Sequence, residues 1–183
     1  LTPAYGNRAF NQLCLNRLDD ALLTIRRAAE RKLESAEMLL TQYFVAFLKG
    51  ADDELRRTAT AARKIPLLED TISHLEALAL ARSGRLQDAR QLSSVPVEIA
   101  QRSGRLERAG LFAAATAVWE AFYGNAAAAR HRATKALDLG RGREVDYAAA
   151  FALALAGDLP QSRVLAEDLA RQFPEDTFVR FMY

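Results

Sequence analysis

The chain has 183 residues, 50% hydrophobic and 26% charged, with 25 Lys and Arg against 23 Asp and Glu for a formal net charge of +2. This ordinary globular composition excludes a disordered chain, and a fold of this length buries roughly 70% of its unfolded surface without help from disulfides or metals. No window approaches the roughly 18 uninterrupted apolar residues of a membrane span, residues 1–15 lack a secretory-signal pattern, and the single Cys14 cannot close an internal disulfide.

In chain order, five short segments each join one apolar-periodic helix to the next. They begin at Asn16, Gly50, Gly84, Gly124 and Gly157, at intervals of 34, 34, 40 and 33 residues. Each supplies Gly or Asn at the helix stop, where a left-handed backbone costs little, and four of the five then offer Asp or Asn to cap the following helix. Paired helices at a period in the thirties predict stacked hairpins, each burying its apolar face against its neighbours.

Two columns of small residues keep the same frame. Seven positions before each turn stand Ala9, Tyr43, Ala77, Ala117 and Ala150; five positions after it stand Ala21, Leu55, Ala89, Ala129 and Ser162. Small side chains there let paired helices approach at the short end of the usual spacing. Strands are not expected, because apolar residues such as Leu39, Leu40, Phe44, Phe47 and Leu48 follow helical stripes rather than alternation.

The interval of 40 contains Ser93-Ser94-Val95-Pro96 and Arg102-Ser103-Gly104. Pro96 lacks a backbone donor, so the helix is expected to end near Ser94 or to kink strongly, with a short extra helix or loop following. Arg102-Ser103-Gly104-Arg105-Leu106 also echoes Arg82-Ser83-Gly84-Arg85-Leu86.

On these residues the chain resembles the tetratricopeptide repeat (TPR) family along essentially its whole length. Ala77, Gly84 and Ala89 match the family pattern in the third hairpin, Gly124, Ala129 and Ala136 in the fourth, and Ala150, Gly157 and Pro174 in the fifth. Tyr43 and Leu55 depart from it, and Pro66 comes one position early. The resemblance implies an all-α, right-handed superhelix of antiparallel helix pairs in a single domain, 1–183. The pairs fall at about 2–33, 35–66, 67–103, 105–140 and 143–174, and a partial sixth helix at 175–183. The stretch from Trp119 to Pro174 is also similar to the C-terminal repeat arrays of multidomain bacterial regulators, which follow a serine/threonine kinase or winged-helix DNA-binding domain.

Catalytic constellations are not expected. His74 reads as a groove or core histidine and His131, among Arg130, Arg132 and Lys135, as part of a solvated face. One Cys and two distant His residues do not make a zinc site, and Cys14 reads as a buried small apolar residue. No cofactor or metal is expected. Gly140-Arg141-Gly142 follows a helix rather than a strand, so it reads as a helix stop and not a phosphate loop. Asp19-Asp20 and Asp52-Asp53 fall in first helical turns, where capping is their expected role. Acidic residues interleave with the arginines, so nucleic-acid binding is not expected.

Projecting the family's groove positions onto the first helices gives Phe10, Leu13, Leu40, Phe44, Phe47, His74, Leu78, Arg82, Val118, Phe122, Tyr147 and Phe151. The expected function is a noncatalytic scaffold that binds an apolar or amphipathic partner segment on this concave face. The rival reading of these positions packs the same side chains between adjacent hairpins. The alternative function is a regulatory, sensor or self-association segment of a bacterial signalling kinase or transcription regulator. The only methionines are Met38 and Met182, and Phe178, Val179, Phe181, Met182 and Tyr183 resemble a helix face cut short. The chain therefore reads as a piece of a longer protein, with a possible homodimer contact through its last helix. The unpaired cysteine points to the cytoplasm.

Overall fold

A computed structural model describes residues 1–66 and 68–180, apart from the side chain of Phe178. Among the described residues the fold is all-α. The helices are α1 (Thr2–Cys14), α2 (Leu18–Ala29), α3 (Ala36–Lys49), α4 (Asp52–Arg63), α5 (Glu69–Arg82), α6 (Leu86–Leu92), α7 (Ser94–Arg102), α8 (Leu106–Phe122), α9 (Ala126–Leu139), α10 (Arg143–Leu155), α11 (Leu159–Gln172) and α12 (Thr177–Arg180).

One turn geometry recurs. Asn16, Gly50, Gly84, Gly104, Gly124 and Gly157 all take positive φ, between 57° and 80°. At Gly84 its own N–H donates to Ala81 O at 3.0 Å and the next N–H, of Arg85, donates to Leu80 O at 3.0 Å. The same pair of bonds closes the other five ends and also the end of α2, where Lys32 takes φ +55°, satisfying carbonyls that a helix stop leaves without partners. The long interval resolves at this point: Gly84, Gly104 and Gly124 lie 20 residues apart and each reverses the chain. Pro96 sits in the first turn of α7, where a missing N–H costs nothing, so it starts a short helix directly after α6.

The chain divides into two compact units, 1–72 and 73–183, with the boundary inside α5. In the first, Ala9, Ile25, Ala28 and Met38 form a core from α1, α2 and α3, with Tyr5 and Leu33 against it. In the second, Ala117, Ala133, Ala149, Ala150, Leu153 and Leu165 join α8 to α11, while Ala81, Ala89 and Trp119 join α5, α6 and α8. The first small-residue column is wholly buried, as are Ala21, Ala89 and Ala129 of the second. The two columns touch where Ser162 Oγ donates to Ala150 O at 2.8 Å.

Gly140 is a close-approach residue. It ends α9 in an extended conformation that any residue adopts, but a Cβ there would stand 2.6 Å from Leu106 O and 2.7 Å from the Glu107 Cα. The Gly140 backbone therefore lies directly on the start of α8. Beside it, Arg141 holds the buried Asp146 through two hydrogen bonds of 2.8 and 2.9 Å.

Two expectations are corrected. Cys14 is exposed, because α1 buries Ala9 and Gln12, and a residue two positions past Gln12 points roughly 200° away around the helix. Asp19, Asp20, Asp52 and Asp53 make no capping hydrogen bond: the N-cap positions before α2 and α4 are Arg17 and Ala51. These aspartates complement the helix dipole, and three of them form ion pairs, Asp20 with Arg17, Asp19 with Lys49 and Asp53 with Arg56. Side-chain caps come instead from Ser35, which accepts from Met38 N at 3.4 Å, Asp158, which accepts from Gln161 N at 3.3 Å, and Asp176, which accepts from Val179 N at 3.3 Å.

Candidate functional site

A concavity in the first unit lies between α1 and α3. It encloses about 580 Å³ and is lined on one wall by Pro3, Gly6, Asn7 and Phe10 and on the other by Glu37, Leu40, Thr41 and Phe44, with Thr2 and Ser35 at its end. Both walls use the i, i+3/i+4, i+7 spacing that places residues on one helix face. A Cβ on Gly6 would lie 3.9 Å from Ser35 Oγ, so the middle of α1 faces the N-cap of α3, and Phe10 lies one turn further along. The groove thus runs from a polar end at Ser35 and Glu37 to an aromatic end at Phe10 and Phe44.

Three of the expected site residues, Phe10, Leu40 and Phe44, meet in this groove. Phe10 is 51% exposed, whereas Leu40 and Phe44 are half-buried. Phe47, one turn beyond Phe44, is half-buried and is not part of the lining, while its neighbour Leu48 is 54% exposed.

In the second unit the expected residues separate into four places. Phe122 at the end of α8 and Phe151 on α10 stack edge to face with centroids 6.0 Å apart, and at 66% and 38% exposure they present this pair to solvent. Tyr147, half-buried, lines a cavity of about 350 Å³ with Leu111, Ala148 and Val179. His74 lies against the Phe112 ring at 5.0 Å, with the Arg108 guanidinium over the same ring at 5.2 Å. It is half-buried in this stack, a packing position. Arg82 is exposed at the end of α5.

The strongest polar constellation is one that sequence patterning did not single out. Glu120, fully buried near the end of α8, accepts two hydrogen bonds from Arg90 of α6 at 2.8 and 2.9 Å and a third from the Asn125 amide at 2.9 Å; Arg132 of α9 stands 3.6 Å away. Burial pushes this carboxyl up, but the Arg90 hydrogen bonds, the charges of Arg90 and Arg132 and the Asn125 amide outweigh it and hold the group below its ordinary value. Its acceptor positions are occupied by these partners, so it ties three helices and a turn together and is not aimed at a ligand. Tyr123 extends the same tie, donating from its hydroxyl to Ala81 O at 2.6 Å.

Glu37 was also missed. One turn before Leu40 and two before Phe44, it lies on the stripe that extending the groove column backward would have reached. Its carboxyl is held below the ordinary value, chiefly by a hydrogen bond with Ser35.

Among the described residues, no group of three or more His, Cys, Asp or Glu side chains gathers as a metal site would require. No helix among them is long and apolar enough to cross a membrane. Phe181, Met182, Tyr183 and the side chain of Phe178, the expected dimer contact, lie outside the described residues, whereas Val179 is buried against its own chain. No protein-family model, curated protein or solved structure matches the chain.

Proposed function

We propose that the chain is a noncatalytic protein-interaction module of the tetratricopeptide type, a solenoid of helical hairpins that binds partner segments on the faces of its first helices. The observation that carries this reading is the apolar side chains left open there: Phe10 beside Leu40 and Phe44 in one groove, and the exposed Phe122–Phe151 pair in the other unit. Exposed aromatic rings that converge on a concavity cost solvation unless a partner covers them. The chemistry suits an apolar or amphipathic segment, since helix-in-groove recognition reads anchors at the same spacing that these walls display. Its place of work, on this reading, is the cytoplasm.

The test is affinity capture from lysate of the source organism with the wild-type chain beside a Phe10→Glu/Phe44→Glu variant and a Phe122→Glu/Phe151→Glu variant. All three must first show the same helical circular dichroism. A protein retained by the wild type and lost from either variant is the expected result. One retained equally by all three contradicts the first-helix assignment and turns attention to regulation or self-association within a parent chain.

A further inference from the structure

The α1/α3 groove has a charge at only one of its ends. Among its described lining residues Glu37 alone is charged; Asn7, Thr2, Thr41 and Ser35 are polar and uncharged, and the far end is aromatic. Glu37 is exposed, so it can meet a partner without first being buried. The neighbouring hydroxyls are already committed: Thr41 Oγ donates to Glu37 O at 2.9 Å, and Ser35 Oγ accepts from Met38 N while holding the carboxylate. A carboxylate has about four acceptor positions, so the bonds from Ser35 and from its own backbone N–H leave about two unoccupied. One wall turn separates Glu37 from Leu40, and a second separates it from Phe44. An occupant therefore meets an anion at one end, the Asn7 and Thr41 side chains midway and the aromatic pair Phe10 and Phe44 at the other.

We propose that this groove takes an apolar segment of a partner protein that carries a lysine or arginine about one helical turn from its first apolar anchor, the cation resting against Glu37 and the anchors between Phe10, Leu40 and Phe44. The proposal rests on the reading of the first-helix faces as interaction surfaces and adds to it the charge and direction of the occupant. A segment with an acidic residue at that place would set like charges together, so the groove discriminates as well as attracts.

The test is selection of a displayed library of random short peptides on the full chain, with Phe10→Glu/Phe44→Glu and Glu37→Gln variants as counter-targets. Peptides that depend on Phe10 and Phe44 are expected to share large apolar residues at helical spacing and a Lys or Arg at one fixed offset. Made synthetically, they should bind the Glu37→Gln chain about three-fold more weakly at low salt, the scale of an exposed ion pair, and the difference should shrink as salt rises. Groove-dependent peptides without a recurring cation, or with affinity unmoved by Glu37→Gln, overturn the charge assignment and leave the interaction reading standing. A selection that yields no peptide dependent on Phe10 and Phe44 overturns this groove as a docking site.

Discussion

Gly84 and Gly140 are both glycine for reasons that a substitution separates. Gly84 holds φ at +78° with nothing within 4 Å of where a Cβ would stand, so Gly84→Ala meets only backbone strain, about 1 kcal/mol. Gly140 has an unstrained backbone but a Cβ would press on Leu106 and Glu107, so Gly140→Ala has to move main chain and should cost about 3 kcal/mol. Urea denaturation of the two variants should place Gly140→Ala well below Gly84→Ala; equal midpoints would contradict the close-approach account. The sequence shows both glycines as helix stops but not this difference, because the contact of Gly140 is with a residue more than 30 positions away. Cys14 was misjudged for a related reason: residue type favours burial, while the face of α1 turned inward is set by Ala9 and Gln12.

Glu120 makes the same point for charge. Truncating one partner of a buried pair leaves the other uncompensated, so Glu120→Gln should destabilise the chain by about 3 kcal/mol. The pH dependence has a definite sign. A carboxyl whose folded value lies below its ordinary 4.5 stabilises the fold at pH above that value, and the contribution fades as pH falls through the lower folded value. Denaturation at pH 6 and pH 3.5 should therefore show a smaller loss on acidification for Glu120→Gln than for the wild type. An equal loss would mean that other carboxylates carry the acid sensitivity.

At the scale of elements, alanine sets the helix spacing. Ala117, Ala133, Ala149 and Ala150 are completely buried in one cluster, so α8, α9 and α10 meet nearly backbone to backbone. Ala150 is tied further by the bond from Ser162. Ala150→Leu adds volume where none is free and should cost about 3 kcal/mol, measurable as a lowered thermal midpoint; an unchanged midpoint would contradict this packing. Both small-residue columns and five of the seven recurring turns were legible because Gly, Asn and Ala at fixed offsets have local causes, whereas Lys32 carries no such signal. The turn at Gly104 was visible only as an echo of the Gly84 segment, although the helix end expected near Ser94 and the short extra helix after it are both present, as the end of α6 and α7. Proline in a first turn starts a helix as readily as it ends one.

At the scale of the whole molecule, two compact units predict uneven stability. Glu120→Gln lies wholly within the second, so it should speed amide exchange in α6, α8 and α9 while leaving α1 to α4 as they were. A uniform rise across all helices would contradict that division. Much less of the site than of the fold was legible. Family positions brought Phe10, Leu40 and Phe44 to one groove and Phe122 to Phe151, but sent His74 to a packing stack against Phe112 and Tyr147 to a separate cavity. A column of equivalent positions names residues that face one way; how deep each sits depends on the neighbour it meets, as Glu37 at the polar end and Phe47 outside the lining both show.

The most direct test of the proposed interaction module is site-specific photocrosslinking in lysate of the source organism. A photoreactive amino acid replaces Phe10 or Phe122 on first helices, or exposed Arg57 or Val164 on second helices. The account predicts a discrete crosslinked partner from Phe10, Phe122 or both, and none from Arg57 or Val164. Crosslinks from the second-helix positions alone would contradict it.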